Sequence, residues 1–282
     1  MNLLKSLYVS AFITAAVAGS IASVVFLVTS PEGSAAWIGA LLACLPAALF
    51  FARLYVAPTA RTSPNLWWMP SFGVAGTVLA LFLAAGPHPA AWTAFGVGVI
   101  GSLLYIFWYS RFGNRASANV RKGQRLPAFE LEDEQGQPLP AAGFEGRPTL
   151  WIFYRGNWCP LCMAQIREVA DQYRELAARG AEVLLISPQP AGHSRDLATR
   201  FDAPMRFLTD RDNRAARALG ILAENGLPSG LQALGYDSDV PLPTVLITDA
   251  AGIVVYSDLT ENYRIRPEPD AFIEVLDGLT AR

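Results

Sequence analysis

The 282-residue chain is 52% hydrophobic and only 16% charged, with a formal net charge of −2. Soluble domains usually carry roughly 25% charged residues, and nothing in this balance points to nucleic acid. Three cysteines are too few for a disulfide-stapled scaffold. A single C-x-x-C, with His88 and His193 both remote from it, does not make a zinc ribbon.

Charge divides the chain. Of the 22 basic residues only Lys5, Arg53 and Arg61 lie in 1–110, and of the 24 acidic residues only Glu32. Four apolar runs are expected there as helices: 7–29, 35–52, 70–85 and 90–109. The first is long enough to cross ~30 Å of hydrocarbon and too long for a signal-peptide core of about 7–15 residues. Gly86-Pro87-His88-Pro89 separates the last two runs, because two prolines stop a helix. Trp67, Trp68, Trp92, Trp108 and Tyr109 sit near run ends, as interfacial aromatics do. Lys and Arg occupy alternate loops, while the first loop holds only Glu32. The positive-inside pattern then places both termini and everything after residue 110 in the cytoplasm of an integral membrane protein, of the bacterial inner-membrane type. The spans lack internal charges, so an anchor in the lipid bilayer is expected rather than a transporter. Cys44 is a single thiol and cannot pass electrons onward; it is expected to be a small buried apolar residue. Gly73, Gly76, Gly96, Gly98 and Gly101 would let helices approach closely.

Arg111, Arg115, Arg121, Lys122 and Arg125 form a basic stretch suited to anionic lipid. The chain is thus divided into an anchor (1–110), a basic linker (111–123) and a soluble domain (124–282). In the last, strands are expected at 149–154, 181–187, 206–209, 243–248 and 253–258. Helices are expected at 160–179, 194–201, 213–219 and 270–279, with Ile166, Val169, Tyr173 and Leu176 on one side of the first. Alternating strands and helices ending in a hairpin and a helix give an α/β fold with a mixed sheet.

The segment Phe153-Tyr154-Arg155-Gly156-Asn157-Trp158-Cys159-Pro160-Leu161-Cys162 resembles the active-site segment of the alkyl hydroperoxide reductase/thiol-specific antioxidant family, the peroxiredoxin-like branch of the thioredoxin superfamily. Leu242-Pro243-Thr244-Val245-Leu246-Ile247 resembles the segment that holds the family's cis-proline. Asp249–Gly252 and 263–269 resemble its C-terminal hairpin and helix entry. The resemblance covers about 124–280 and implies a thioredoxin-like domain after a transmembrane bundle of about four helices.

Cys159 opens a helix, where unpaired N–H groups and the helix dipole favour a thiolate. Pro160 suits the first helical position. Cys162 is close enough to resolve a mixed disulfide. Arg155 would favour the anion if it points inward, Trp158 would shield the site, and a cis Pro243 with Thr244 would lie beside the sulfurs. The favoured expectation is disulfide exchange on a protein disulfide, with Cys159 attacking. In the peroxidase alternative Cys162 attacks peroxide and Cys159 resolves, and the family's proline, threonine and activating arginine align with Arg155, Cys159 and Pro243. A non-catalytic redox sensor is a third reading. A thiol reducing system is the expected partner, and no metal, flavin or haem site is expected. Tyr263, Arg264 and Arg266 are expected to be structural or surface residues, and His193 a loop residue.

Overall fold

The computed structural model describes residues 2–30, 34–84, 86, 88–113, 115 and 118–280. Glu32 of the first loop and Pro87 of the proline break lie outside the described residues. Beyond the first two residues, the chain divides into two compact units, 3–58 with 63–111, and 59–62 with 112 onward.

The first unit holds α1 (Asn2–Thr29), α2 (Ala36–Val56), α3 (Trp68–Ala84) and α4 (Pro89–Tyr109). Among the described residues α1, α2 and α4 are long and apolar enough to cross a membrane; α3 is apolar but has 17 residues. Backbones meet at small residues. A Cβ added to Gly39 would fall 2.3 Å from the Gly76 carbonyl, and one on Gly73 2.3 Å from that of Gly98. Gly96 departs from the expected seam, since it faces nothing within 4 Å. Cys44 is fully buried.

The second unit is built on a seven-stranded mixed sheet. Its strands are β1 (Glu130–Glu132), β2 (Pro138–Pro140), β3 (Thr149–Phe153), β4 (Glu182–Ser187), β5 (Arg206–Thr209), β8 (Thr244–Thr248) and β9 (Val254–Asp258), in the order β2-β1-β5-β4-β3-β8-β9. The short β6 (Leu222–Ala223) and β7 (Val240–Pro241) pair separately. β3 runs parallel to β4 and antiparallel to β8. All five β3 residues are buried, which accounts for its unbroken apolar run Thr-Leu-Trp-Ile-Phe: a central strand covered on both faces does not alternate. Trp151, Phe153, Leu184, Ile186, Leu208 and Leu246 form the centre of the core.

The helices are α5 (Pro160–Asp171), α6 (Tyr173–Ala178), α7 (Ala191–Ala198), α8 (Arg214–Ala218) and α9 (Pro269–Thr280). The single helix expected over 160–179 is broken at Gln172. Gly180 closes α6 at φ +72°, a left-handed cap that glycine adopts without strain. In the stretch expected as a basic linker, Ala118 and Val120 join the core and Arg115 is buried. His193 lies within α7 rather than in a loop.

Register positions the site. Phe153 at the end of β3 pairs with Thr244 at the start of β8. The cysteine loop leaving β3 and the Pro243–Thr244 turn entering β8 therefore meet at the same edge of the core.

Candidate active site

The loop after β3 is fastened at several points. Tyr154 N–H donates to Ile186 O (2.9 Å), continuing the parallel ladder. Asn157 N–H donates to Gln189 Oε1 (2.8 Å), while Gln189 Nε2 donates to the Tyr154 hydroxyl (3.0 Å) and to Ser194 Oγ (3.1 Å). Tyr236 donates its hydroxyl proton to Asn157 Oδ1. Gly156 sits at φ +145°, and a Cβ there would fall 2.6 Å from Trp158 Nε1. Only glycine suits both the conformation and the close approach.

Cys159 is the N-cap of α5 and its sulfur accepts from Cys162 N–H (3.4 Å). Pro160 takes the first helical position, as expected. Both thiols are free and buried, Cys159 3% and Cys162 0% exposed.

Arg266 approaches Cys162 most directly. It is buried, its Nη2 lies 3.6 Å from Cys162 Sγ, and its Nη1 donates to Gln165 Oε1 (2.9 Å). Gln165 follows Cys162 by three residues and so shares its helix face. Arg266 is therefore not a surface residue, the one part of its expectation that burial excludes. Arg264 is fully buried.

Arg155 points inward, the outcome that favours an anion. It is buried, donates to the Gly226 carbonyl, and its guanidinium stacks 4.8 Å from the centroid of the half-buried Trp158 ring. Trp158 packs against Ala223, Leu227 and Val240.

The charges around the pair favour an anion at Cys162, whereas the helix start favours one at Cys159. Burial alone would raise both. At Cys162 burial is outweighed by the hydrogen bond from Cys159 and by the charges of Arg266 and Arg155, and its pKa falls to about 6. At Cys159 burial and the neighbouring Cys162 push the thiol well above its ordinary value. The helix dipole amounts to about half a charge, whereas Arg266 brings a full one to Cys162.

The Pro243–Thr244 turn is held by another buried arginine. Arg115 Nη1 donates to Pro243 O (3.2 Å), and Nη2 donates to Thr244 Oγ1. Burial lowers the Arg115 pKa to about 10, with Asp258 opposing. The expected cis-proline is absent, since the described residues contain no cis peptide bond. Pro243 and Thr244 instead help enclose a cavity of about 10 Å³, bordered also by Gln165, Tyr263 and Arg266, about the size that admits one water. Gln165 Nε2 and Arg266 Nε are buried donors with no protein acceptor among the described residues. Nor is any group of three His, Cys, Asp or Glu among those residues placed to hold a metal ion.

Residues 122–257 match the AhpC/TSA family. The second unit is a peroxiredoxin-like domain. Similar curated proteins include a chloroplastic peroxiredoxin Q of Sedum lineare, 29% identical over 59% of this chain and 83% of its own. Another, of Populus jackii, is 32% identical over 39% of this chain and 52% of its own. The chain thus spans about half the length of the Populus relative. Among solved structures, the Mycobacterium tuberculosis peroxidoxin BcpB aligns over 57% of this chain and 99% of its own, at TM-score 0.47 and 21% identity. Sequence reasoning assigned neither Arg115 nor Arg266 to the site, because their contacts are remote in the chain: Arg266 reaches Cys162 across 104 residues and Arg115 reaches Thr244 across 129, and no local pattern marks either.

Proposed function

We propose that the peroxiredoxin-like domain is a thiol peroxidase in which Cys162 attacks peroxide and Cys159 resolves. The observation that carries this reading is the buried Cys162 thiol with the buried Arg266 guanidinium beside it, Nη2 at 3.6 Å, a charge that favours the thiolate. The Cys162 thiolate attacks one peroxide oxygen and breaks the O–O bond. The sulfur becomes a sulfenic acid, and the other oxygen leaves as alkoxide or hydroxide, taking a proton to form alcohol or water. Cys159, protonated at rest, then attacks the sulfenic sulfur, forming the Cys159–Cys162 disulfide and releasing water. A dithiol reductant supplies two electrons and two protons to restore both thiols.

Two further observations support the substrate. Both sulfurs are almost wholly buried, which suits a peroxide better than a protein disulfide. Gln165 Nε2 and Arg266 Nε are donors without a protein acceptor among the described residues, on side chains that bond each other beside Cys162, and such donors suit an oxygen that gains negative charge. The peroxidase family's arginine is lost at Pro243, and Arg266 supplies an equivalent charge from the C-terminal side.

The first unit is read as the membrane anchor of this enzyme, with the peroxiredoxin-like domain on the cytoplasmic side. Its support is three helices of spanning length and apolarity together with the alternation of basic loops. Labelling of the domain from outside intact cells would overturn that orientation.

The catalytic reading is tested with the reduced full-length protein, Cys159→Ser and Cys162→Ser, each mixed with one equivalent of hydrogen peroxide. Consumption should survive in Cys159→Ser and vanish in Cys162→Ser. The reverse pattern, joined to rapid attack on a protein disulfide, would restore the disulfide-exchange reading.

A further inference from the structure

Cys162, Gln165 and Glu168 are spaced three residues apart on α5, so each neighbours the next along the helix surface. The 264–268 segment lies along this surface, with Arg266 meeting Cys162 and Gln165. At Glu168 the contact is made by Arg61, a residue 107 positions earlier in the chain that belongs to the same compact unit. The Arg61 guanidinium forms two bonds to Glu168, Nη2–Oε2 at 2.5 Å and Nη1–Oε1 at 3.3 Å. It also donates from Nε to Arg266 O (3.3 Å) and from Nη2 to Pro267 O (3.4 Å). Thr62 adds a second fastening: its N–H donates to Arg264 O (2.9 Å) and its hydroxyl accepts from Arg264 Nη1 (3.2 Å).

This arrangement has little value as a surface ion pair. The side chains are 29% and 34% exposed, and pairs of that kind contribute about 0–1 kcal/mol. Its geometric value is larger. One planar guanidinium grips the helix that carries the thiol and the backbone of the residue that supplies the charge, and a rigid fork holds such a position better than an ammonium does.

We propose that Arg61 is a positioning residue: it braces α5 against the 264–268 segment, fixes Arg266 beside Cys162, and makes the reactivity of that thiol depend on residues 59–62. This rests on the reading of Cys162 as the attacking thiolate. Arg61 lies well before the family-matched 122–257, so its contribution comes from outside the matched segment.

The test uses the full-length reduced protein, with alkylation of Cys162 followed by peptide mass spectrometry against pH and hydrogen peroxide consumption followed in parallel. Arg61→Ala and Glu168→Gln should each raise the alkylation midpoint by about one unit. At pH 5, where rate follows thiolate fraction, that shift slows peroxide consumption about tenfold. Arg61→Lys should recover part of the loss. The sign in the isosteric Glu168→Gln variant is the decisive readout, and it stays available if Arg61→Ala does not fold. Removing a negative charge near a thiol would by itself lower the midpoint, whereas a loosened brace raises it. A midpoint that falls or stays in Glu168→Gln, or stays in Arg61→Ala while rising in Arg266→Ala, overturns the brace alone. An unchanged midpoint in Arg266→Ala overturns the brace and the parent reading together.

Discussion

Replacing Arg266 by alanine removes the charge closest to the reactive sulfur. With Nη2 at 3.6 Å from Sγ, the direct attraction at an effective dielectric of 20 is on the order of 5 kcal/mol. The fall of Cys162 from an ordinary thiol value of 9.0 to about 6 corresponds to about 4 kcal/mol in favour of the thiolate. That figure is a net of opposing effects: burial against the Cys159 hydrogen bond, Arg266 and Arg155. Without Arg266, burial is left opposed mainly by Arg155 and Cys159, and the thiol should return to its ordinary range or above it. The thiolate fraction at pH 7 then drops from about nine-tenths to about 1% or less, so peroxide consumption should slow by about 90-fold or more from ionisation alone. Further loss is expected because the leaving oxygen also loses a donor. The assay is stopped-flow peroxide consumption with Cys162 alkylation across pH 4–10. An alkylation midpoint that stays near 6 in Arg266→Ala would refute the assignment of the thiolate to this arginine.

Three other outcomes follow from the same structure. Gly156→Ala forces a side chain onto φ +145° and into the Trp158 indole; strain of this kind costs about 1–3 kcal/mol, visible as a lower thermal midpoint together with slower peroxide turnover. Trp151→Ala empties the centre of the core and removes the Nε1 bond to Thr248 (3.0 Å), with an expected loss of about 3–5 kcal/mol in denaturant unfolding; a loss below 1 kcal/mol would mean the core is placed elsewhere. The depressed Cys162 pKa also links stability to pH. Its contribution is fully present above about pH 9 and is lost as pH falls through about 6. Reduced protein should therefore gain stability between pH 6 and 9 relative to its disulfide form, which lacks the titrating thiol, and parallel profiles would contradict the shift.

Elements with a strong local signal could be read directly from the chain. The buried run of β3 and the C-x-x-C that opens α5 after it are legible because burial on both faces and helix-start chemistry each leave a short, contiguous pattern. β1 and β2 were not foreseen: Glu-Leu-Glu and Pro-Leu-Pro hold one apolar residue each, and prolines are tolerated only because β2 is an edge strand. The break of the helix at Gln172 was hidden by continuous helical spacing of apolar residues on either side of it. The helix start that favours Cys159 is a local feature of the sequence, whereas the charges near Cys162 come from Arg266 and Arg155. Arg155 was visible beside the motif, although its inward direction was not. Arg266, Arg115 and Arg61 reach the site only through the path of the chain, and their significance is therefore absent from any window of sequence.

The most direct test of the central claim is to locate the first oxidised sulfur. Reduced full-length protein is given one equivalent of hydrogen peroxide in the presence of dimedone, which traps sulfenic acids, and the adduct is mapped by peptide mass spectrometry in wild type and in Cys159→Ser. The account predicts the adduct on Cys162, more abundant in Cys159→Ser because the resolving thiol is gone. An adduct confined to Cys159, or no adduct with peroxide left unconsumed, would contradict it.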